Sequence, residues 1–120
     1  PYSLAPATGA AEMTREPLPN RRDNRHVDVT WRGTELKVCV GLRDDGRAAE
    51  VFAYGPKAGS DMQAIIEDGC VVASHLRQFG RTFAEQAQSI GRDEAGQPTS
   101  IMGRVIDAAA AIEAEEMESP

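Results

Sequence analysis

Lys57, Gly59 and Ser60 stand together in the run YGPKAGSD, between a strand-like segment and a helix-like one. A helix N-terminus offers free N–H groups and a partial positive charge, and a lysine beside it adds a full charge. Such a site can hold a phosphate or a carboxylate, and a glycine lets the ligand approach the backbone. Here, however, the lysine precedes the second glycine, so the run departs from the G-x-x-x-x-G-K-[ST] pattern of phosphate loops. Asp61 in the first helical turn already complements the dipole. The simpler reading is a structural turn with Ser60 as the helix N-cap.

Other chemistry finds less support. The soft metal ligands Cys39, Cys70, His26 and His75 follow no C-x-x-C or H-x-x-x-H spacing. Cys70 and His75 are five apart on a helix and do not share a face. Neither a metal nor a cofactor is expected. No serine lies in a G-x-S-x-G elbow, and His75 points to the polar side of its helix, so no catalytic residue is assigned. Two cysteines make no disulfide framework and fit a reducing cytoplasm.

The chain of 120 residues has a net charge of -6, a pI near 4.9 and a mean hydropathy of -0.41. Its length suits one domain. The acidic balance argues against nucleic-acid binding, and no apolar run approaches the roughly 20 residues of a membrane span. A soluble, cytoplasmic protein with no membrane partner is expected. Arg15, Arg21, Arg22 and Arg25 cluster near one end, and Glu113, Glu115, Glu116 and Glu118 near the other. They read as two solvated ends, or else as arginines that dock on an acidic partner or a phosphate.

The elements that would position the Lys57 loop follow from periodicity. Residues 1–14 read as a flexible arm or an expression remnant, and 15–25 as an extended basic lead-in in which prolines forbid a helix. HVDVTWR (26–32) and ELKVCVGL (35–42) alternate as half-buried strands, and AAEVFAYG (48–55) is a third. Short connections favour an antiparallel meander. After Ser60, Met62, Ile65, Ile66, Gly69, Val72, Ala73, Leu76 and Phe79 form one apolar stripe, read as the inward face of a helix that Gly80 ends. Thr82 and Glu85 make the capping box of a short helix with Phe83, Ala87 and Ile90 inward. Thr99 or Ser100 caps a third, in which Ile101, Met102, Val105, Ile106, Ala109 and Ile112 share a side. The expected fold is α+β: a three-stranded antiparallel meander followed by three helices packed on one face, a single domain over 26–112 with an acidic tail that frays over 113–120.

The string GRAAEVFAYGPKAGSDMQAI followed by GCVVASHLRQFGRTFAE resembles the TSCPD domain, a module found at the C-terminal end of adenosylcobalamin-dependent (class II) ribonucleotide reductases and as small free-standing proteins. The shared pattern is G-R-x-x-E-[VI]-F, a K-x-G-[SA] loop, an apolar helix ending in glycine and a short second helix. REPLPNRR resembles the lead-in to that module. The resemblance covers roughly residues 15 to 90 and falls on Arg21, Arg22, Gly46, Glu50, Phe52, Lys57, Gly59 and Ser60. It reads Phe52 as core and Glu50 as pointing to the other sheet face, within reach of a lead-in arginine. The chain departs from the family where Thr99 and Ser100 are followed by Ile101 and Met102 in place of Cys-Pro-Asp, so no thiol role transfers. It also lacks the catalytic barrel, so the resemblance implies an accessory module and not a reductase.

The expectation is therefore a non-catalytic binding module. Its partner would be a protein linked to nucleotide metabolism, or a nucleotide or phosphate anion. The residues that would carry this are Arg21, Arg22, Glu50, Lys57, Gly59 and Ser60. Two rivals stay open: a small enzyme with its site at the 55–61 loop, and a self-associating module that dimerises through an edge strand or the third helix.

Overall fold

Two tight turns fold the first half of the chain into a meander. Arg32 and Gly33 both take positive φ (45° and 84°), the geometry of a two-residue hairpin turn. They join β1 (Asp23–Trp31) to β2 (Thr34–Leu42). Gly46, at φ 88°, closes the turn into β3 (Ala48–Tyr54). The sheet order is β1-β2-β3, antiparallel throughout. Three helices follow: α1 (Asp61–Gln78), α2 (Phe83–Ser89) and α3 (Ile101–Glu118). The expected α+β fold is observed. The computed structural model describes residues 14–18 and 23–118; the expected arm, except Thr14, lies outside them. Among the described residues no helix is long and apolar enough to cross a membrane.

The helix ends follow the local sequence. The Ser60 hydroxyl accepts the Gln63 N–H, and Thr82 and Glu85 complete both halves of the capping box. Ser100 is the cap of α3, its hydroxyl accepting the Gly103 N–H at 3.0 Å. At the end of α1, Gly80 (φ 102°) lets Arg81 N–H reach the Leu76 carbonyl and Gly80 N–H the Arg77 carbonyl, the paired bonds of a Schellman motif.

The core lies between the sheet and α3. Leu36, Val38, Val40 and Val51 meet Val105, Ala109 and Ile112, with Phe83 of α2 fully buried among them. Burying one such side chain contributes about 1.5–3 kcal/mol. α3 spends nearly all of its apolar side here.

Several expectations are corrected. β1 begins at Asp23, ahead of His26. The tail does not fray from Glu113: α3 continues to Glu118. The Glu113 carboxylate is buried, holds Arg77 Nε at 2.7 Å and accepts the Phe83 N–H at 3.0 Å. The charged ends are not simply solvated either, since Arg25 pairs with Glu116 at 2.8 Å. Phe52 is not core. The sheet register sets it opposite Cys39, on the face turned away from α3, and it is exposed. Glu50, two residues earlier, shares that face with Phe52 and does not oppose it.

The largest correction concerns α1. Its buried residues are Gln63, Ile66, Cys70, Ala73, Ser74 and Gln78. Of the residues expected to face inward, Ile66 and Ala73 do so, whereas Met62, Ile65, Val72, Leu76 and Phe79 are exposed. The reason is where the helix sits. α1 lies along β3, an edge strand whose outer N–H and C=O groups need partners. Gln63 Nε2 donates to the Ala53 carbonyl at 3.2 Å, and Gln78 Nε2 to the Ala49 carbonyl at 3.1 Å. Ser74 accepts the Val51 N–H at 2.9 Å. Three polar side chains are therefore buried on α1 beside Ile66, Cys70 and Ala73, and the exposed part of its apolar stripe is turned roughly 140° from this buried side, at 100° per residue.

Candidate functional site

The Lys57–Ser60 loop is a turn and a cap. Ser60 N–H donates to the Lys57 carbonyl at 3.0 Å. Gly59 has φ 81°, and a Cβ there would meet nothing within 4 Å; the glycine is required by the turn and not by a close neighbour. The Ser60 hydroxyl is engaged by Gln63 N–H at 3.2 Å, and Lys57 is exposed. Two of the groups that an anion would use, the cap hydroxyl and the end of the dipole beside Asp61, are thus already answered.

Glu50 lies elsewhere. It is only 5% exposed and folds over the bare backbone of Gly41, where a Cβ would come within 2.5 Å of its Oε2. It borders a cavity of about 320 Å³ between β3 and α1 that Arg15, Phe52, Cys70 and His75 also line. None of Lys57, Gly59 and Ser60 lines that cavity. Arg21 and Arg22 lie outside the described residues. The six expected site residues are therefore not gathered into one site: three make the turn, Glu50 belongs to the cavity, and two are outside the description.

Cys70 and His75 do border one cavity despite their separation around the helix. Cys70 is buried, and burial pushes its thiol up to about 11, away from the thiolate that a nucleophile needs. His75 is exposed. Among the described residues no group of three His, Cys, Asp or Glu side chains could hold a metal ion.

The lead-in is fastened to the domain by arginines the sequence analysis did not single out. Arg47 holds both carboxylate oxygens of Glu16, at 2.8 and 3.1 Å. Arg43 donates to the Glu16 and Pro17 carbonyls, both at 2.8 Å. Glu16 N–H bonds the Gln78 carbonyl at 3.0 Å, and Arg15 bonds the Gln78 side chain. The Arg47 guanidinium holds the Glu16 carboxyl below its usual range.

An exposed apolar surface runs along α1. Met62, Ile65, Gly69, Val72, Leu76 and Phe79 alternate three and four residues apart, the a/d spacing of a helix that packs against another helix. Val72 is 60% exposed and Ile65 57%. Beside this stripe runs a groove of about 430 Å³ between α1, α2 and α3, with Val72, Leu76, Ile90, Met102 and Ile106 on its walls and Asp68 and Arg81 on its rim. Met102 lies across Gly69 so closely that a Cβ there would stand 2.8 Å from its Sδ. The signal for this surface was in the sequence as the apolar stripe, of which Ile66 and Ala73 face inward as expected and the rest faces out.

Comparison with family models, with curated proteins and with solved structures finds no match.

Proposed function

We propose that this chain is a non-catalytic binding module that takes an amphipathic helix of a protein partner on the apolar face of α1 and in the groove beside it. One observation carries the reading: α1 buries Gln63, Ser74 and Gln78 beside Ile66, Cys70 and Ala73, and exposes Ile65, Val72, Leu76 and Phe79. A contiguous apolar stripe left in water at helical spacing is the mark of a helix-in-groove surface. The role agrees with the accessory function that the resemblance to the reductase-associated module implies. An anion or a reaction at the 55–61 loop has the weaker case, because Ser60 and Asp61 already serve the helix end and Gly59 borders open space.

The test uses a fluorescently labelled amphipathic peptide with leucines at alternating three- and four-residue spacing. The peptide is expected to bind, to bind at least tenfold more weakly to Val72→Glu, and to bind Lys57→Glu unchanged. Loss of binding in Lys57→Glu with none in Val72→Glu would move the surface to the loop and end this reading.

A further inference from the structure

We infer that the helix seated on this face is α1 of a second copy of the chain, packed antiparallel and centred on Val72. The inference rests on the docking surface proposed above and names its occupant.

The seam itself is the first argument. Met62, Ile65, Gly69, Val72, Leu76 and Phe79 keep the three-four alternation along all of α1 and one residue beyond it. A helix that offers a complete seam is a fitting partner for another helix offering the same one. A two-fold pair makes such contacts reciprocal: where one residue meets another, the second meets the first. With Val72 on the axis, Ile65 stands opposite Phe79 of the second copy, and Phe79 opposite Ile65 of the second copy.

Charge then selects the direction. The exposed acids Asp61, Glu67 and Asp68 lie in the first half of α1, while exposed His75 and Arg81 lie at and just past its end. A parallel pair would set acids against acids along the first two turns. An antiparallel pair brings the acidic half of one helix alongside the basic end of the other, and it also opposes the two macrodipoles favourably. Asp68 and Arg81 sit on the rim of the same groove, so each copy offers both signs at the place where the other's helix passes.

At the waist the seam is bordered by a movable side chain. Gly69 has no side chain, and Met102 of α3 lies over it. A thioether on a flexible stem adapts to an incoming Leu76 of the second copy without a rigid clash. β1 takes no part in this contact, and apart from Met102 and Ile106, which line the groove, α3 has spent its apolar side on the sheet.

Sedimentation velocity over a concentration series, with Val72→Glu and Val72→Leu beside the unchanged chain, tests the inference. Circular dichroism and thermal melting confirm that each variant is folded, as expected for a position 60% exposed. The expected result is a dimer whose dissociation constant rises at least tenfold in Val72→Glu and stays within a few-fold in Val72→Leu. Orientation is read by oxidative cross-linking in a Cys39→Ser background. A mixture of Ile65→Cys and Phe79→Cys chains should form a mixed disulfide, and Ile65→Cys alone should not pair. A chain that stays monomeric yet binds the leucine-spaced peptide overturns the second-copy inference and leaves the docking surface standing. A dimer indifferent to Val72→Glu that also fails to bind the peptide overturns both. Self-pairing of Ile65→Cys overturns the antiparallel arrangement.

Discussion

The Ser74 hydroxyl accepts the N–H of Val51 at 2.9 Å and donates to the carbonyl of the same residue at 3.3 Å. One side chain on a helix thus answers both backbone groups of an edge-strand residue, as a neighbouring strand would. Gln63 and Gln78 extend the arrangement to the Ala53 and Ala49 carbonyls on either side. An open edge invites pairing with another chain, and here a helix closes it with polar side chains. The consequence reaches the other side of α1: with Gln63, Ser74 and Gln78 turned to the strand, only Ile66, Cys70 and Ala73 of its apolar residues are buried, and Ile65, Val72, Leu76 and Phe79 are left in water.

Ser74→Ala should destabilise the fold by about 1–3 kcal/mol, since it leaves a buried N–H and a buried C=O short of partners. Urea unfolding should show a lower midpoint with an unchanged slope. Val72→Ala, on the exposed side of the same helix, should shift the midpoint much less. Equal losses at the two positions would contradict the assignment of faces.

Glu113 joins three helices. Its carboxylate pairs with Arg77 of α1 and accepts the N–H groups of Phe83 and Ala84 at the start of α2. Removing it strands a guanidinium whose side chain is 12% exposed. Glu113→Ala should cost about 3–5 kcal/mol, the range for breaking a buried pair by deleting one partner. Arg77→Met combined with Glu113→Leu should recover part of that loss in a double-mutant cycle, although the Phe83 and Ala84 N–H groups still lose their acceptor. Additive losses would show that the two residues do not act as a pair.

The turns and caps were legible in the sequence because their physics is local. Ser60, Thr82 with Glu85, Gly80 and Ser100 each act within a few residues of their own position. The α+β order followed from the change of period from two to helical. The orientation of α1 was not legible, because it depends on the unpaired edge of β3, which only the assembled sheet creates. An apolar stripe ordinarily marks the inward side of a helix; here only its Ile66 and Ala73 edge faces inward, and Met62, Ile65, Val72, Leu76 and Phe79 face out. The inward place of Glu113 follows from Ile106 and Ala109, which stand seven and four residues before it on the buried side of α3, although a carboxylate ordinarily marks the solvent side. For the candidate site, the Lys57–Ser60 turn was legible as a turn, and Glu50 was misplaced by a strand-parity slip that the register corrects.

Cys70 should be inert to thiol reagents in the folded chain. It is buried among core residues, and burial pushes its thiol up to about 11. Cys39 is half-buried, and its thiol is also raised by desolvation. At pH 8, iodoacetamide should label Cys39 slowly and Cys70 only after unfolding in guanidinium, as read by intact-mass and peptide analysis. Preferential labelling of Cys70 in the native state would reopen a nucleophilic role at its cavity.

Acid should release the lead-in before it unfolds the domain. The Glu16 carboxyl is held below its usual range, first by its hydrogen bond to Arg47, and Asp45 is held down by the backbone and side chain of the same arginine. A carboxylate with a lowered folded-state value stabilises above its ordinary value, and that contribution is lost as pH falls through the folded one. The strap is therefore fully fastened at neutral pH and loosens as pH drops through and below the ordinary carboxylate range. Both groups are exposed, so the effect should appear as local release and leave the midpoint of global unfolding nearly unchanged. Backbone amide resonances of Thr14, Arg15, Glu16 and Leu18 followed by NMR from neutral to acid should move with the Glu16 titration while those of β2 and α3 stay in place. Glu16→Gln should give the released lead-in spectrum already at pH 7. An unchanged spectrum in that variant would mean that the backbone bonds from Arg43 and Gln78 hold the segment without the ion pair.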